Sequence, residues 1–312
     1  MYFPEEKDFV KLAAEYDLVP VYRELLADVE TPVSVLRRFI HRENVFLLES
    51  MEGGEKWGRY SFIGVDPKPF IEVDHRQGPT GKLEQLRGIY RQIKTASLPG
   101  LPRFVGGAVG YLAYEAMGEF ERMPLPKTGE FGQGQPVSRF LTADRMIVFD
   151  NIRHTLKIVV CARPRQAASP AQAYAEACAG IADIEAALQR PPEATNFRPL
   201  SSVKFTANMS AQDYCDSVAK AKRYICAGDV IQVVLSQRFS AQAAIPPFEL
   251  YRALRLLNPS PYTFFLKMGG HTLVGSSPEV MVRLTGNRVE LRPIAGTRPR
   301  GVGEQEDRRL AD

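Results

Sequence analysis

A chain of 312 residues, 45% hydrophobic and 24% charged, is long enough to bury a large core in one or two domains, and it holds no run of the roughly 18 apolar residues a membrane helix needs. Its net charge of +4 comes from 40 basic and 36 acidic residues that are interspersed, without the clustered basic stripe and stacking aromatics of a nucleic-acid-binding surface. The opening MYFPEEKDFV lacks the basic region and apolar run of a secretory signal, so a cytoplasmic location is expected; Cys161, Cys178, Cys215 and Cys226 have no metal-ligand spacing and read as buried free thiols.

In chain order, Thr31 before Pro32 predicts a helix start, with the hydroxyl as cap and proline in the first turn of VSVLRRFI. NVFLLES reads as a strand, followed by a turn at Gly53 and Gly54 and a second, aromatic strand in KWGRYSFIG; the two can be neighbours. A helix is expected over residues 82–95. In FVGGAVGYLAYEAM, Gly106, Gly107 and Gly110 do not have dinucleotide-loop spacing, which leaves close backbone packing in a sheet as the better reading. RMIVFDNI and TLKIVVCA form a hairpin pattern around Asn151 to His154, and Ser169-Pro170 opens an Ala-rich helix to about Gln189.

The proline-bearing RPPEATNFRPLSS suggests an interdomain connection, dividing the chain at about residue 195 into segments 1–195 and 196–312. Ser210 and Asp213 form a capping-box pattern for a helix carrying Tyr214, Val218, Ala221 and Ile225 to a stop at Gly228. VIQVVLSQRFS reads as a strand and PPFELYRALRLLN as a helix. PYTFFLKMG, TLVGSS, VMVRL and RVELRPIA read as strands, the last two joined at Gly286-Asn287. Runs of strands with unevenly placed helices predict an α+β fold with mixed or antiparallel sheets and flanking helices.

RPIAGTRPRG is the most chemically loaded segment. Gly296 permits close backbone approach, Thr297 offers a hydroxyl, and Arg292, Arg298 and Arg300 supply charge for a carboxylate; the same residues also suit a basic surface turn. His41, His75, His154 and His271 sit in no catalytic pattern and read as surface or internally satisfied residues.

Seven segments in order, LLES (47–50), GRYSFIG (58–64), GGAVGY (106–111), AGDVIQVVLSQRF (227–239), NPSPY (258–262), LVGSSPE (273–279) and PIAGTRPRG (293–301), resemble the landmarks of the chorismate-utilising large subunit of anthranilate synthase. The resemblance implies a tryptophan-binding regulatory region over 1–195 and the first part of a chorismate-binding catalytic domain over 196–312. It also implies a reaction in which ammonia from a glutamine amidotransferase subunit replaces the hydroxyl of chorismate and pyruvate is lost. L-Tryptophan would lie between LLES and NPSPY, against Glu49, Ser50, Pro261, Tyr262 and Thr263, where Thr263 departs from the family's methionine. A carboxylate suits an ammonium, a hydroxyl can hydrogen-bond, and proline and tyrosine can flank an indole; a strand end and a proline-shaped turn are the plainer reading of the same residues.

The family's substrate-contacting pair falls on Gly296 and Thr297. Ala295 stands where aminodeoxychorismate synthase carries a nucleophilic lysine, which favours direct addition of ammonia and an anthranilate product. The magnesium carboxylates and the proton-transfer histidine of the family are expected beyond residue 312, so no catalytic residue and no metal ligand is assigned here, and the 312-residue chain is expected to be inactive alone. An aminodeoxychorismate synthase and an inert tryptophan-binding module remain alternatives.

Overall fold

The computed structural model describes residues 1–50, 58–73, 81–121, 136–192, 203–242, 244–291, 299 and 301–311. Two compact units form, one from Met1–Glu193 with Tyr251–Asp312, the other from Ala194–Leu250. The chain thus returns to its first unit after leaving it.

The elements up to Glu193 are α1 (Glu6–Glu15), β1 (Val19–Leu26), α2 (Pro32–Arg37), β2 (Asn44–Glu49), β3 (Tyr60–Val65), β4 (Pro69–Val73), α3 (Lys82–Gln92), β5 (Ala108–Leu112), β6 (Ser138–Thr142), β7 (Arg145–Asp150), β8 (Thr155–Ala162) and α4 (Pro170–Leu188). Then come β9 (Phe205–Ala207), α5 (Ala211–Ala227), β10 (Phe239–Ala241), α6 (Pro247–Leu257), β11 (Tyr262–Met268), β12 (His271–Ser277), β13 (Arg283–Thr285), β14 (Arg288–Glu290) and α7 (Glu304–Ala311). The fold is α+β and its strand pairs are antiparallel.

The caps explain where helices begin. Thr31 Oγ1 accepts from the Ser34 amide at 3.1 Å and Ser169 Oγ accepts from the Gln172 amide at 3.1 Å, each satisfying an amide that the first turn leaves open. Proline follows directly in both helices, where its missing donor costs nothing.

In the larger unit a seven-stranded sheet runs β1-β8-β7-β3-β2-β11-β12, and a three-stranded sheet runs β4-β6-β5. Side chains alternate between faces along a strand. One face turns to α4: Arg145 Nη2 donates to Gly180 O at 3.3 Å, so its neighbours of like parity, Ile147, Ile63, Leu47 and Phe265, line the helix side. The other face carries Phe46, Met146, Val148 and Leu266, which pack with Val109 and Leu141 of the smaller sheet. α4 buries Ala173, Ala177, Ile181 and Ile184, spaced to form one stripe, and it packs on β8 and β1.

Gly110 shows why glycine occurs in β5. A Cβ there would lie 2.1 Å from Arg139 O and 2.8 Å from Phe140 Cα, both backbone atoms of β6, so close strand approach is the reason for the residue, as the sequence reading expects.

Two expectations are corrected. The run VIQVVLSQRFS is not a strand along its length: only Phe239–Ala241 pairs, with Phe205–Ala207, and Ile231 and Val234 are 98% and 85% exposed. Nothing among the described residues supplies the neighbouring backbone a longer strand needs. The cysteines are free, but only Cys161 is buried; Cys178 is half-buried, and Cys215 and Cys226 are exposed on α5.

Candidate functional site

The LLES and NPSPY segments lie side by side. β2 and β11 pair antiparallel with Thr263 opposite Glu49 and Phe264 opposite Leu48, so LLES and the strand leaving NPSPY end side by side. Thr263 Oγ1 donates to Glu49 O at 3.0 Å, fastening this end of the ladder.

The turn is shaped by more than its prolines. Ser260 Oγ donates to Ser277 O at 2.8 Å and accepts from the Tyr262 amide at 3.3 Å, while Ser276 Oγ reaches Asn258 O at 2.6 Å. Pro261 and Tyr262 are half-buried. The Tyr262 hydroxyl accepts from Arg283 Nη2 at 2.6 Å, so the ring is held rather than free to swing.

Strand alternation divides the expected residues between two faces. Tyr262 shares its face with Phe264, and that face borders an apolar groove of about 440 Å³ between the two sheets, lined by Leu48, Phe264, Leu273, Phe104, Val109 and Tyr111 among others. Glu49 and Thr263 point to the helix side, where both are buried. Ser50 follows the strand; its hydroxyl oxygen is buried and has no hydrogen-bond partner among the described residues. A buried polar atom without a partner costs free energy, and a ligand acceptor or donor would relieve that cost.

Glu49 is not a vacant carboxylate. Arg255 donates from Nη2 to Oε1 at 2.8 Å and from Nε to Oε2 at 3.0 Å, and the Tyr251 hydroxyl donates to Oε2 as well. Burial and the adjacent Glu49 charge push the Tyr251 hydroxyl far above its ordinary range, so it remains a donor. Its ring stacks edge-on against Phe265 at a centroid distance of 5.8 Å. The sequence reading missed both partners. Their signal was present: Tyr251 and Arg255 are four apart on α6 and therefore share a face.

A second cleft of about 580 Å³ lies near Phe70, Tyr90, Asp144, Arg145 and Arg163. Its charges are largely paired within the protein, Arg163 Nη2 bridging both Asp144 carboxylate oxygens at 3.1 Å. Burial pushes the Tyr90 hydroxyl up to about 12 and raises the Cys161 thiol, which donates to Val105 O, so neither group serves as a nucleophile near neutral pH.

Gly296 and Thr297, with Ala295 and the flanking Arg292, Arg298 and Arg300, lie outside the described residues. His41, His154 and His271 are exposed, and His75 lies outside the described residues. Among the described residues no group of three or more His, Cys, Asp or Glu stands together as a metal site. No helix among them is long and apolar enough to cross a membrane.

Comparison with known proteins shows what the chain is similar to. Residues 43–312 match the model of the chorismate binding enzyme family, and the chain belongs to that family. Relatives are named anthranilate synthase component 1: that of Acetivibrio thermocellus is 39% identical over 99% of this chain and 66% of its own length. The Pseudomonas putida relative is 37% identical over 98% of this chain and 65% of its own. For Streptomyces coelicolor the figures are 38%, 98% and 60%. The chain therefore spans slightly under two thirds of these relatives, at 60–66% of their length. Two solved structures share the fold. Anthranilate synthase component I from Streptococcus pneumoniae has a TM-score of 0.61 at 24% identity, covering 85% of this chain and 59% of that one. The menaquinone-specific isochorismate synthase of Escherichia coli has a TM-score of 0.53 at 13% identity, covering 98% and 62%.

Proposed function

We propose that this chain acts as an anthranilate synthase large subunit, in which ammonia replaces the hydroxyl of chorismate and loss of pyruvate gives anthranilate. The reading includes a glutamine amidotransferase partner as the ammonia source, magnesium as cofactor, a cytoplasmic setting and feedback inhibition by L-tryptophan. A regulatory region over 1–195 and a catalytic region beginning at 196 are part of the same reading. Family membership and the names of the relatives support the chemistry. Ala295, with no nucleophile, supports addition of ammonia itself, and Gly296 and Thr297 are the substrate contacts that the resemblance implies.

One observation supports the effector half of the proposal: the register that puts Thr263 opposite Glu49 and Phe264 opposite Leu48 brings the LLES and NPSPY ends side by side, and Leu48 and Phe264 help line an apolar groove of about 440 Å³. The groove has apolar walls for an indole, and the unpartnered Ser50 hydroxyl is available to a polar group of the ligand.

The test is calorimetric titration of the purified 312-residue chain with L-tryptophan. Saturable binding of one equivalent is expected, with Ser50→Phe abolishing it by replacing the buried hydroxyl with a bulky ring. No heat from the parent, or equal affinity in the variant, overturns the effector reading. The chemistry is tested separately by product analysis of a full-length protein carrying this sequence, with chorismate, ammonia and magnesium. Anthranilate is expected; aminodeoxychorismate would move the protein to the neighbouring activity.

A further inference from the structure

We infer that the cleft of about 580 Å³ walled by α3, α4 and the β7–β8 pair is a second small-molecule site, one that takes an aromatic carboxylate, with the carboxylate on Arg145 and the ring against Phe70 and Tyr90. This site is separate from the groove assigned to tryptophan: Arg145 projects to the helix side of the large sheet, whereas Leu48 and Phe264 line the groove from the other face.

Two residues of the cleft wall hold a buried polar atom with no hydrogen-bond partner among the described residues, Arg145 at Nε and Tyr90 at its hydroxyl. A smaller cleft of about 230 Å³ meets this one at Asp66 and Arg145, and it adds a third such atom, Arg42 Nε. A guanidinium only donates, and the Tyr90 hydroxyl, which burial pushes up to about 12, keeps its proton and can donate as well. Three unanswered donors call for acceptors. The protein's own carboxylates do not supply them: Arg42 Nη1 stands 3.5 Å from Asp66 Oδ2 and Arg145 Nη2 stands 3.8 Å from Asp183 Oδ2, both outside the roughly 2.7–2.9 Å of a charge-assisted hydrogen bond. Arg145 Nη2 donates instead to Gly180 O at 3.3 Å, which holds the side chain along the wall and leaves Nε unused. The Arg145 side chain is 34% exposed, so a rotation of its guanidinium brings Nε to an incoming oxygen, a rotamer change of the kind that binding commonly involves.

Charge and shape narrow the ligand. Together the two clefts are lined by five Lys or Arg and four Asp or Glu residues, an excess of one positive charge, which a single carboxylate balances and a phosphate dianion overshoots. Phe70 and Tyr90 stand edge-on with centroids 5.7 Å apart, and Ile89, Ile93 and Val160 lie beside them, so the remaining wall suits a ring.

The experiment titrates the 312-residue chain with phenylacetate, with the uncharged phenylacetamide of the same shape, and with phenyl phosphate, followed by saturation-transfer NMR at pH 7.5. Phenylacetate is expected to saturate with a dissociation constant on the order of 1 mM, at least about tenfold tighter than the other two. Arg145→Met should weaken phenylacetate about tenfold and bring it level with the amide. Ala167 lines the cleft in extended backbone just after the Pro164–Gln166 turn, so Ala167→Phe puts a ring into the cleft without altering its charges. That variant should also weaken phenylacetate about tenfold or more, with the thermal melt unchanged. No saturation by about 10 mM in the parent, or equal affinity for acid and amide, overturns the inference. So does phenylacetate binding that Ala167→Phe leaves intact, which would place the ligand elsewhere, and tighter binding of phenyl phosphate, which would reject the carboxylate. If Arg145→Met gives no cooperative melt, Ala167→Phe and the acid-to-amide ratio of the parent decide.

Discussion

NVFLLE, over Asn44–Glu49, has four apolar residues and VIQVVL, over residues 230–235, has five, yet only the first is a strand. β2 has hydrogen-bonded neighbours on both sides, β3 and β11, and every residue but Leu48 is buried. The second run pairs with nothing among the described residues, and Ile231 and Val234 are 98% and 85% exposed. The difference extends to the helices. α4 buries four residues against the sheet, whereas α5, with a comparable length and a better-built cap, buries none. Local chemistry therefore acts on both helices, but burial, at roughly 1.5–3 kcal/mol for each large aliphatic side chain, acts on α4 and not on α5.

Hydrogen exchange should show the largest effect. Amides of Val45–Leu48 are expected to exchange only by global unfolding, which for a domain of ordinary stability means slowing by about 10³-fold or more. Amides of residues 230–235 are expected to exchange nearly as fast as in an unstructured peptide. Comparable protection of the two runs would break the comparison. Next in size, Ile147→Ala removes a fully buried side chain from the helix face of the sheet and should cost about 2–5 kcal/mol in urea unfolding. Ile231→Ala should stay within about 0.5 kcal/mol of the parent. A cost above about 1.5 kcal/mol for Ile231→Ala would mean that the residue is buried in solution after all.

What the sequence made legible follows the same division between local and long-range causes. Thr31-Pro32, Ser169-Pro170 and the Ser210/Asp213 box mark helix starts because caps act within four residues, and each proves to be a formed cap. The β7–β8 and β13–β14 hairpins were readable from their turns, and His154 and Gly286 have the positive φ that such turns use. β1 escaped notice because Pro20 interrupts its pattern; it is the sheet's edge, where proline is tolerated. β4 and β6 are five residues long and only partly buried, which leaves little alternation to see. At the site, Glu49, Ser50, Pro261, Tyr262 and Thr263 came from the family resemblance, and the structure brings the ends of their segments together. Arg255 and Tyr251 did not: their four-residue spacing shows that they share a face of α6, but nothing in the local pattern names a carboxylate more than 200 positions away as their partner.

Electrostatics should sharpen the contrast at a smaller scale. Burial opposes ionisation of Asp150, but hydrogen bonds from Arg59 and from the Ile152 and Arg153 amides outweigh it and hold the carboxyl below its usual range. With the folded value depressed, the stabilisation is fully present above the unfolded value of about 3.9 and is lost as pH falls through the folded one. Asp150→Asn should therefore cost about 1–3 kcal/mol at neutral pH and progressively less below pH 4. Urea unfolding of parent and variant from pH 7 to pH 3.5 checks this; a cost that does not shrink on the acid side would locate the effect in packing instead of charge.

The smallest effect separates the units most cleanly. Ser210 Oγ accepts from the Asp213 amide at 3.1 Å, and Asp213 Oδ2 accepts from the Ser210 amide at 3.3 Å and from the Ser210 hydroxyl at 2.6 Å. Ser169 offers α4 one such bond, to the Gln172 amide. Replacing either serine by alanine should cost about 1 kcal/mol, roughly a fivefold change in a local equilibrium. In α5 no buried side chain backs the first turn, so the loss should appear locally, as about fivefold faster exchange at amides 213–216 with the global melting temperature unchanged. In α4 the first turn is tied to the core through Ala173 and Ala177, so it opens with the whole unit. Ser169→Ala should then lower the melting temperature by a few degrees, about 2–4 °C for a unit of this size, without a separate local opening. If both substitutions lower the melting temperature equally, α5 is as firmly held as α4 and the contrast between the units fails; if both act only locally, α4 frays independently of the sheet it covers.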